Sequence, residues 1–154
     1  MNKFVLTTMC YLQKNSKTLL LHRTKKKNDI NEGKWIGVGG KVEQGESIHE
    51  CMKREIFEET GYTAHSLHLH GFVVFPGLYY GKDEGMFVFS CDDFSGTLKE
   101  CEEGYLAWIH NEDISSLPMW EGDYHFFDWL NDDRFHSAKI VYKDDKLIKY
   151  VEEI

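Results

Sequence analysis

Three carboxylates crowd the end of one segment, Glu55, Glu58 and Glu59 in "KREIFEETG", with Arg54 beside them and Glu46 upstream. Clustered carboxylate oxygens without adjoining Cys or His ligands suit a hard divalent ion such as Mg²⁺ or Mn²⁺. Just before them, "GVGG" at 37–40 reads as a loop whose backbone a ligand or ion can approach closely, with carbonyls available to meet it. It is not a P-loop, because no G-x-x-x-x-G-K-[ST] occurs. It is not a dinucleotide fingerprint either, since a register starting at Gly37 would need glycine at Val42.

A helix over 47–60 must carry these acids. Ser47 is its N-cap, Glu50 completes a capping-box pattern, and Gly61 supplies the stop. Ile48, Met52 and Ile56 recur at i+4 with Cys51 beside them, which predicts an inward-facing stripe. Seven and eleven residues on from Ile48, that stripe becomes Glu55 and Glu59, with Glu58 next to them. A solvated acidic face is the ordinary explanation for such residues, and it fits poorly here. Like charges at i,i+4 cost roughly 0.2–0.5 kcal/mol. Acids at the negative end of the helix dipole add about 0.3–1 kcal/mol each. Arg54 alone cannot neutralise three carboxylates; a bound cation resolves the conflict.

The remaining elements are mostly strands. "FVLTTMCYL" (4–12) and "TLLLHR" (18–23) flank a polar turn and predict a hairpin. "LHGFVVF" (69–75), "MFVFSC" (86–91) and "YLAWI" (105–109) are rich in β-branched and aromatic residues. A last hairpin is predicted from 139–142 and 147–151. A second helix is expected over 123–131, capped by Asp123. Apolar residues on both faces of several strands imply a sheet covered on both sides, an α+β domain.

At 154 residues the chain is expected to form one domain, 1–154. No apolar run approaches the ~20 residues that span a bilayer. The start reads as a strand and not as a secretory signal. Cys10, Cys51, Cys91 and Cys101 show no zinc-ligand spacing and suit a reducing compartment, so a cytoplasmic location without membrane association is expected. The net charge of −8 weighs against a stable nucleic-acid partner but leaves room for a small phosphorylated substrate accompanied by divalent cations.

Gly40, Glu46, Arg54, Glu55, Ile56, Glu58, Glu59, Gly61 and Tyr62 together resemble the Nudix box (40–62), with Tyr62 as a bulky form of its last apolar position. "GKWIGVGGK", "WEGDYHFFDWL" and "FHSAKIVY" extend the likeness over nearly the whole chain, toward the MutT/MutX-like 8-oxo-dGTP diphosphatases. The resemblance implies the Nudix fold, a mixed β-sheet sandwiched between helices. It also implies a Mg²⁺-dependent hydrolase of nucleoside diphosphates linked to another group, with Mn²⁺ as a substitute.

Carried over by position, Glu55, Glu58, Glu59 and the Gly39 carbonyl would ligate metal, with Glu103 adding a further carboxylate. Arg54 would orient Glu55 by a charge-assisted hydrogen bond, and Glu46 would support the loop and helix. Glu55, Glu59 and Glu103 are the candidate general bases. Arg23 and Lys41 are candidate phosphate contacts, although the basic run "HRTKKK" also reads as a solvated loop.

Phe75, Trp120 and Asp123 fall where the resemblance suggests base stacking and recognition; Phe75 reads equally well as core. Two positions depart from the eukaryotic pattern: Ile36 stands where those enzymes have a base-reading Asn, and Gly122 replaces one of two paired acids. The leading expectation is a nucleoside triphosphate pyrophosphatase acting on 8-oxo-dGTP and related (d)NTPs, in nucleotide-pool sanitation. Alternatives within the chemistry are 5′-triphosphorylated RNA, ADP-ribose and dinucleoside polyphosphates. An alternative of another class is a non-catalytic nucleotide-binding module.

Overall fold

The computed structural model describes residues 3–25 and 29–153. Alternation along the strands builds the architecture. Successive side chains of a strand point to opposite faces, and in the first strand, β1 (Phe4–Lys14), Met9 and Tyr11 enter one apolar cluster while Cys10 and Leu12 enter another. The second strand, β2 (Lys17–His22), divides Leu20 and Leu19 the same way. The sheet is thus buried on both faces, as the unbroken apolar runs predict.

Two short strands follow, β3 (Trp35–Ile36) and β4 (Val38–Lys41), and then helix α1 (Ile48–Thr60). Next come β5 (Tyr62–Tyr79), β6 (Lys82–Gly96) and β7 (Tyr105–His110). After two 3₁₀ segments, Asn111–Ser116 and Glu121–Asp123, the chain forms helix α2 (Tyr124–Trp129) and the closing hairpin β8 (His136–Lys143) and β9 (Lys146–Glu153). All the strands belong to one sheet, ordered β3-β2-β1-β6-β5-β8-β9, with β4 also pairing β1 and β7 pairing β2. β1 runs parallel to β6 and β5 parallel to β8, and the other pairs are antiparallel, so the sheet is mixed. Met52 and Ile56 of α1 cover one face; Phe126 and Trp129 of α2 cover the other.

The capping box of α1 is present in full: Ser47 Oγ accepts from the Glu50 N–H at 3.0 Å, and Glu50 Oε1 accepts from the Ser47 N–H at 2.9 Å. Gly61 ends the helix at φ +83°, a left-handed turn open to a residue without Cβ.

Three expectations need correction. The "GVGG" stretch is strand, because β4 is held in register against β1 from Cys10↔Val38 to Thr7↔Lys41, and pairing overrides the poor strand propensity of glycine. The strand expected over 69–75 runs from Tyr62 to Tyr79, because irregularities in its register on β6 let it continue through polar sequence where alternation fails. The second helix covers less than 123–131, and Asp123 makes no side-chain cap bond; the chain is already turning through Glu121–Asp123 when α2 begins. No helix among the described residues is long and apolar enough to cross a membrane.

Candidate active site

Arg54 organises the exposed side of the site. Its Nε and Nη2 donate to the two carboxylate oxygens of Glu46 at 2.7 and 3.0 Å, and its Nη1 donates to Glu55 at 2.8 Å and Glu58 at 3.1 Å. The guanidinium bonds draw the Glu46 carboxyl down to about 2. Nη2 also donates to the Lys41 carbonyl at 3.2 Å, tying the helix to the end of β4. Gly40 leaves room for this arrangement: a Cβ there would stand 2.5 Å from the Glu55 carboxylate.

One turn on, Glu59 is nearly buried and accepts from the Gly39 N–H at 2.8 Å. Its carboxyl is pushed far above the usual range by burial first, then by Glu103 and Glu55, with the Gly39 N–H opposing. Burial likewise raises Glu55, against the hydrogen bond from Arg54. Glu103 reaches this point from the segment before β7, and one ligand atom each from Glu59, Cys101 and Glu103 lie within 4.8 Å of one another. Glu59 has one backbone donor and no cationic partner among the described residues, and it faces two carboxylates that Arg54 and Arg23 already engage. The donor set is chiefly oxygen and fits a hard divalent cation.

The structure separates the expected ligands. Glu55, Glu59 and Glu103 converge, whereas Glu58 is largely exposed and bonded to Arg54. Gly39 contributes its N–H to Glu59. Arg23, expected from sequence to meet phosphate, is nearly buried and ion-paired to Asp29 at 2.8 Å and Glu103 at 3.0 Å. Lys26 and Lys27 of the same basic run lie outside the described residues, while Lys25 donates to the Cys101 carbonyl at 3.0 Å. The Lys41 side chain is exposed at the rim.

A cavity of about 320 Å³ opens beside Glu55 and Glu103 and extends to Phe75, Trp120 and Asp123. Phe75 and Trp120 are both mostly buried. Phe75 stacks toward Tyr142, and Trp120 meets Tyr142 edge-on, donates from Nε1 to Asn31 at 2.7 Å, and has Lys34 Nζ 4.4 Å from its ring centre. Asp123, free of the capping duty expected of it, turns its carboxyl to the cavity. Burial raises that carboxyl to about 8, with Glu84 adding to the effect and Lys34 opposing it. Ile36 also lines the cavity.

Sequence reasoning missed Asp29, Cys101 and Glu84. Glu84 had a readable signal: it shares strand parity with the core residues Met86 and Val88, so an acid there had to point inward. Asp29 and Cys101 lie in irregular segments where no periodicity places a side chain.

Comparison with known proteins agrees with this geometry. The NUDIX domain family model matches residues 3–130. A Nudix hydrolase of Bacillus subtilis, YvcI, is 37% identical over 127 residues, covering 80% of this chain and 77% of its own. The mouse oxidized purine nucleoside triphosphate hydrolase is 33% identical over 128 residues, covering 81% of each. The crystal structure of a MutT protein from Bacillus halodurans superposes with a TM-score of 0.84 at 32% identity over 97% of both chains. An acid-bearing helix, its clamp and the sheet that holds them thus coincide with a shared sequence pattern, and the chain belongs to the Nudix hydrolases.

Proposed function

We propose that the chain is a Mg²⁺-dependent nucleoside triphosphate pyrophosphatase, acting on 8-oxo-dGTP and related (d)NTPs as a sanitiser of the nucleotide pool. The observation that carries this reading is one continuous cavity with Glu55 and Glu103 at one end and Phe75, Trp120 and Asp123 at the other. Phosphates belong at the acidic end, beside the cation, and a base at the aromatic end. Relatives from mouse and zebrafish named as oxidized purine nucleoside triphosphate hydrolases, at 33% and 36% identity, support the assignment.

Glu59 and Glu103, with Glu55, would hold the cation. When bound, the ion supplies positive charge to the phosphates and acidifies water. Glu55 faces the cavity and accepts the proton of the attacking water. The water oxygen bonds to phosphorus at the α–β bridge, the bridging P–O bond breaks, and its electron pair leaves with the departing phosphate group. The products are the nucleoside monophosphate and pyrophosphate. Arg54 fixes the Glu55 carboxylate through the 2.8 Å hydrogen bond, and Glu46 fixes Arg54 in turn.

The test is turnover of 8-oxo-dGTP, dGTP, ADP-ribose and 5′-triphosphorylated RNA with Mg²⁺, products resolved by anion exchange. Monophosphate and pyrophosphate, with kcat/KM for 8-oxo-dGTP well above the dGTP value and above those for RNA and ADP-ribose, is the expected outcome. Comparable or better turnover of dGTP, ADP-ribose or RNA would sink the sanitation reading, and absence of all turnover would favour a binding module.

A further inference from the structure

Glu84 is a costly residue where it stands. It sits on β6, 8% exposed, and its single described hydrogen-bond partner is Thr7, whose Oγ1 donates to Glu84 Oε2 at 2.6 Å. A carboxylate largely withdrawn from water, with one hydroxyl donor on Oε2, keeps acceptor capacity facing the cavity. Nor is the bond needed to join the strands, because β1 and β6 already pair from Phe4↔Asp83 to Leu12↔Cys91. Glu84 lines the same cavity as Asp123, close enough for its charge to raise the Asp123 carboxyl. The Asp123 carboxyl is 5% exposed and has no hydrogen-bond donor among the described residues.

The other acceptors named at this end are already engaged: Asn31 Oδ1 accepts from the Trp120 indole, and the Tyr142 hydroxyl oxygen accepts from the Gly122 N–H. Ile36 has nothing to offer a base edge. Acceptance of base N–H groups at this end therefore falls to the two acids. The hydroxyl bond from Thr7 favours the ionised form of Glu84, and an ionised carboxylate accepts only, so the partner of Glu84 must present N–H groups side by side. Guanine does so with its ring amide and exocyclic amine. Hypoxanthine lacks the amine, adenine sets a ring acceptor beside its amine, and thymine flanks its one N–H with carbonyls.

We propose that Glu84 selects the base, its carboxylate accepting N–H hydrogen bonds from the amide and amine edge of a guanine-type purine that Asp123 also engages. The inference rests on the nucleotide reading of the cavity, and it deepens that reading. The amide and amine edge is common to intact and oxidised guanine, so Glu84 favours both over other bases without separating them.

Calorimetric titration of the metal-free protein with dGMP, dIMP, dAMP and dTMP tests this without turnover. Wild type should bind dGMP at least about tenfold more tightly than dIMP, the scale of one charge-assisted hydrogen bond. Glu84→Gln should bring the two within about threefold, and its melting temperature should equal or exceed that of wild type, which a structural pin would not allow. Equal wild-type affinity for dGMP and dIMP overturns the proposal with no variant needed. An unchanged ratio in E84Q, or no binding of any monophosphate, overturns it as well. Guanine-selective binding in a protein that hydrolyses no triphosphate would keep Glu84 and remove the pyrophosphatase; pyrophosphatase activity without base selection would do the reverse.

Discussion

Glu59 works against the stability of the metal-free protein. It is buried among other carboxylates and receives one backbone hydrogen bond, from Gly39. Glu59→Gln keeps an acceptor for that N–H and removes the charge. Its metal-free melting temperature should rise by roughly 2–4 °C, corresponding to about 1 kcal/mol in a chain of this size. Mg²⁺-dependent turnover should fall by about a hundredfold or more, since a charged carboxylate that would hold the phosphate-neutralising cation has been lost. Calorimetric scans beside steady-state kinetics check both signs, and a fall in melting temperature would show that the site is balanced without a cation. Arg54 lies at the opposite extreme: with Glu46, Glu55 and Glu58 around it, its guanidinium is held more firmly protonated than usual, first by the Glu46 hydrogen bonds.

At the scale of the element, α1 is fastened at one end and reactive at the other. Ser47→Ala opens the capping box and should cost about 1 kcal/mol in denaturant unfolding, while turnover stays near wild type because the acids lie two turns away. Gly40→Ala should do the converse, pressing a methyl into the Glu55 carboxylate and lowering kcat in a folded protein. Equal loss of activity in the two variants would deny this division. The helix was legible because its signals are local: a cap, a 3.6-residue stripe and a terminating glycine. The glycine strand and the full length of β5 were not, because β1 holds the first from a distance in sequence and register irregularities on β6 carry the second through polar residues. The same holds for the site. The box glutamates could be read from spacing alone, whereas the Arg23–Glu103 pair and the approach of Glu84 to Asp123 exist once the sheet has brought them together.

For the whole molecule, buried acids set the response to pH. Asp123 moves from an ordinary value of 3.8 up to about 8 through burial, with Glu84 raising it further and Lys34 opposing; Tyr11, Tyr142 and Glu121 also lie close. Burial raises Glu55, Glu59 and Glu84 as well. A carboxyl raised in the folded state binds more protons there than when unfolded, so its contribution is full below the unfolded value and is lost as pH climbs through the folded one. Glu46, held at about 2, acts in the opposite sense and loses its contribution as pH falls below about 4. Metal-free stability should therefore decline from about pH 5 to about pH 8, with Asp123→Asn flattening much of the slope. Melting curves in chelator across that range check it; a flat or rising profile would contradict the burial of these groups.

Neighbours in β1, Thr7 and Thr8, point to opposite faces of the sheet, one bonded to Glu84 and the other touching Cys51 of the acid-bearing helix at 3.3 Å. The acid-bearing helix and Glu84 are thus anchored on opposite faces through neighbouring residues of one strand, and the cavity reaches both Glu55 and Glu84. A lineage built on this plan can exchange its diet of nucleotides while its chemistry stands still, and relatives alike in one residue of three can keep the same box of acids yet part company over what they consume.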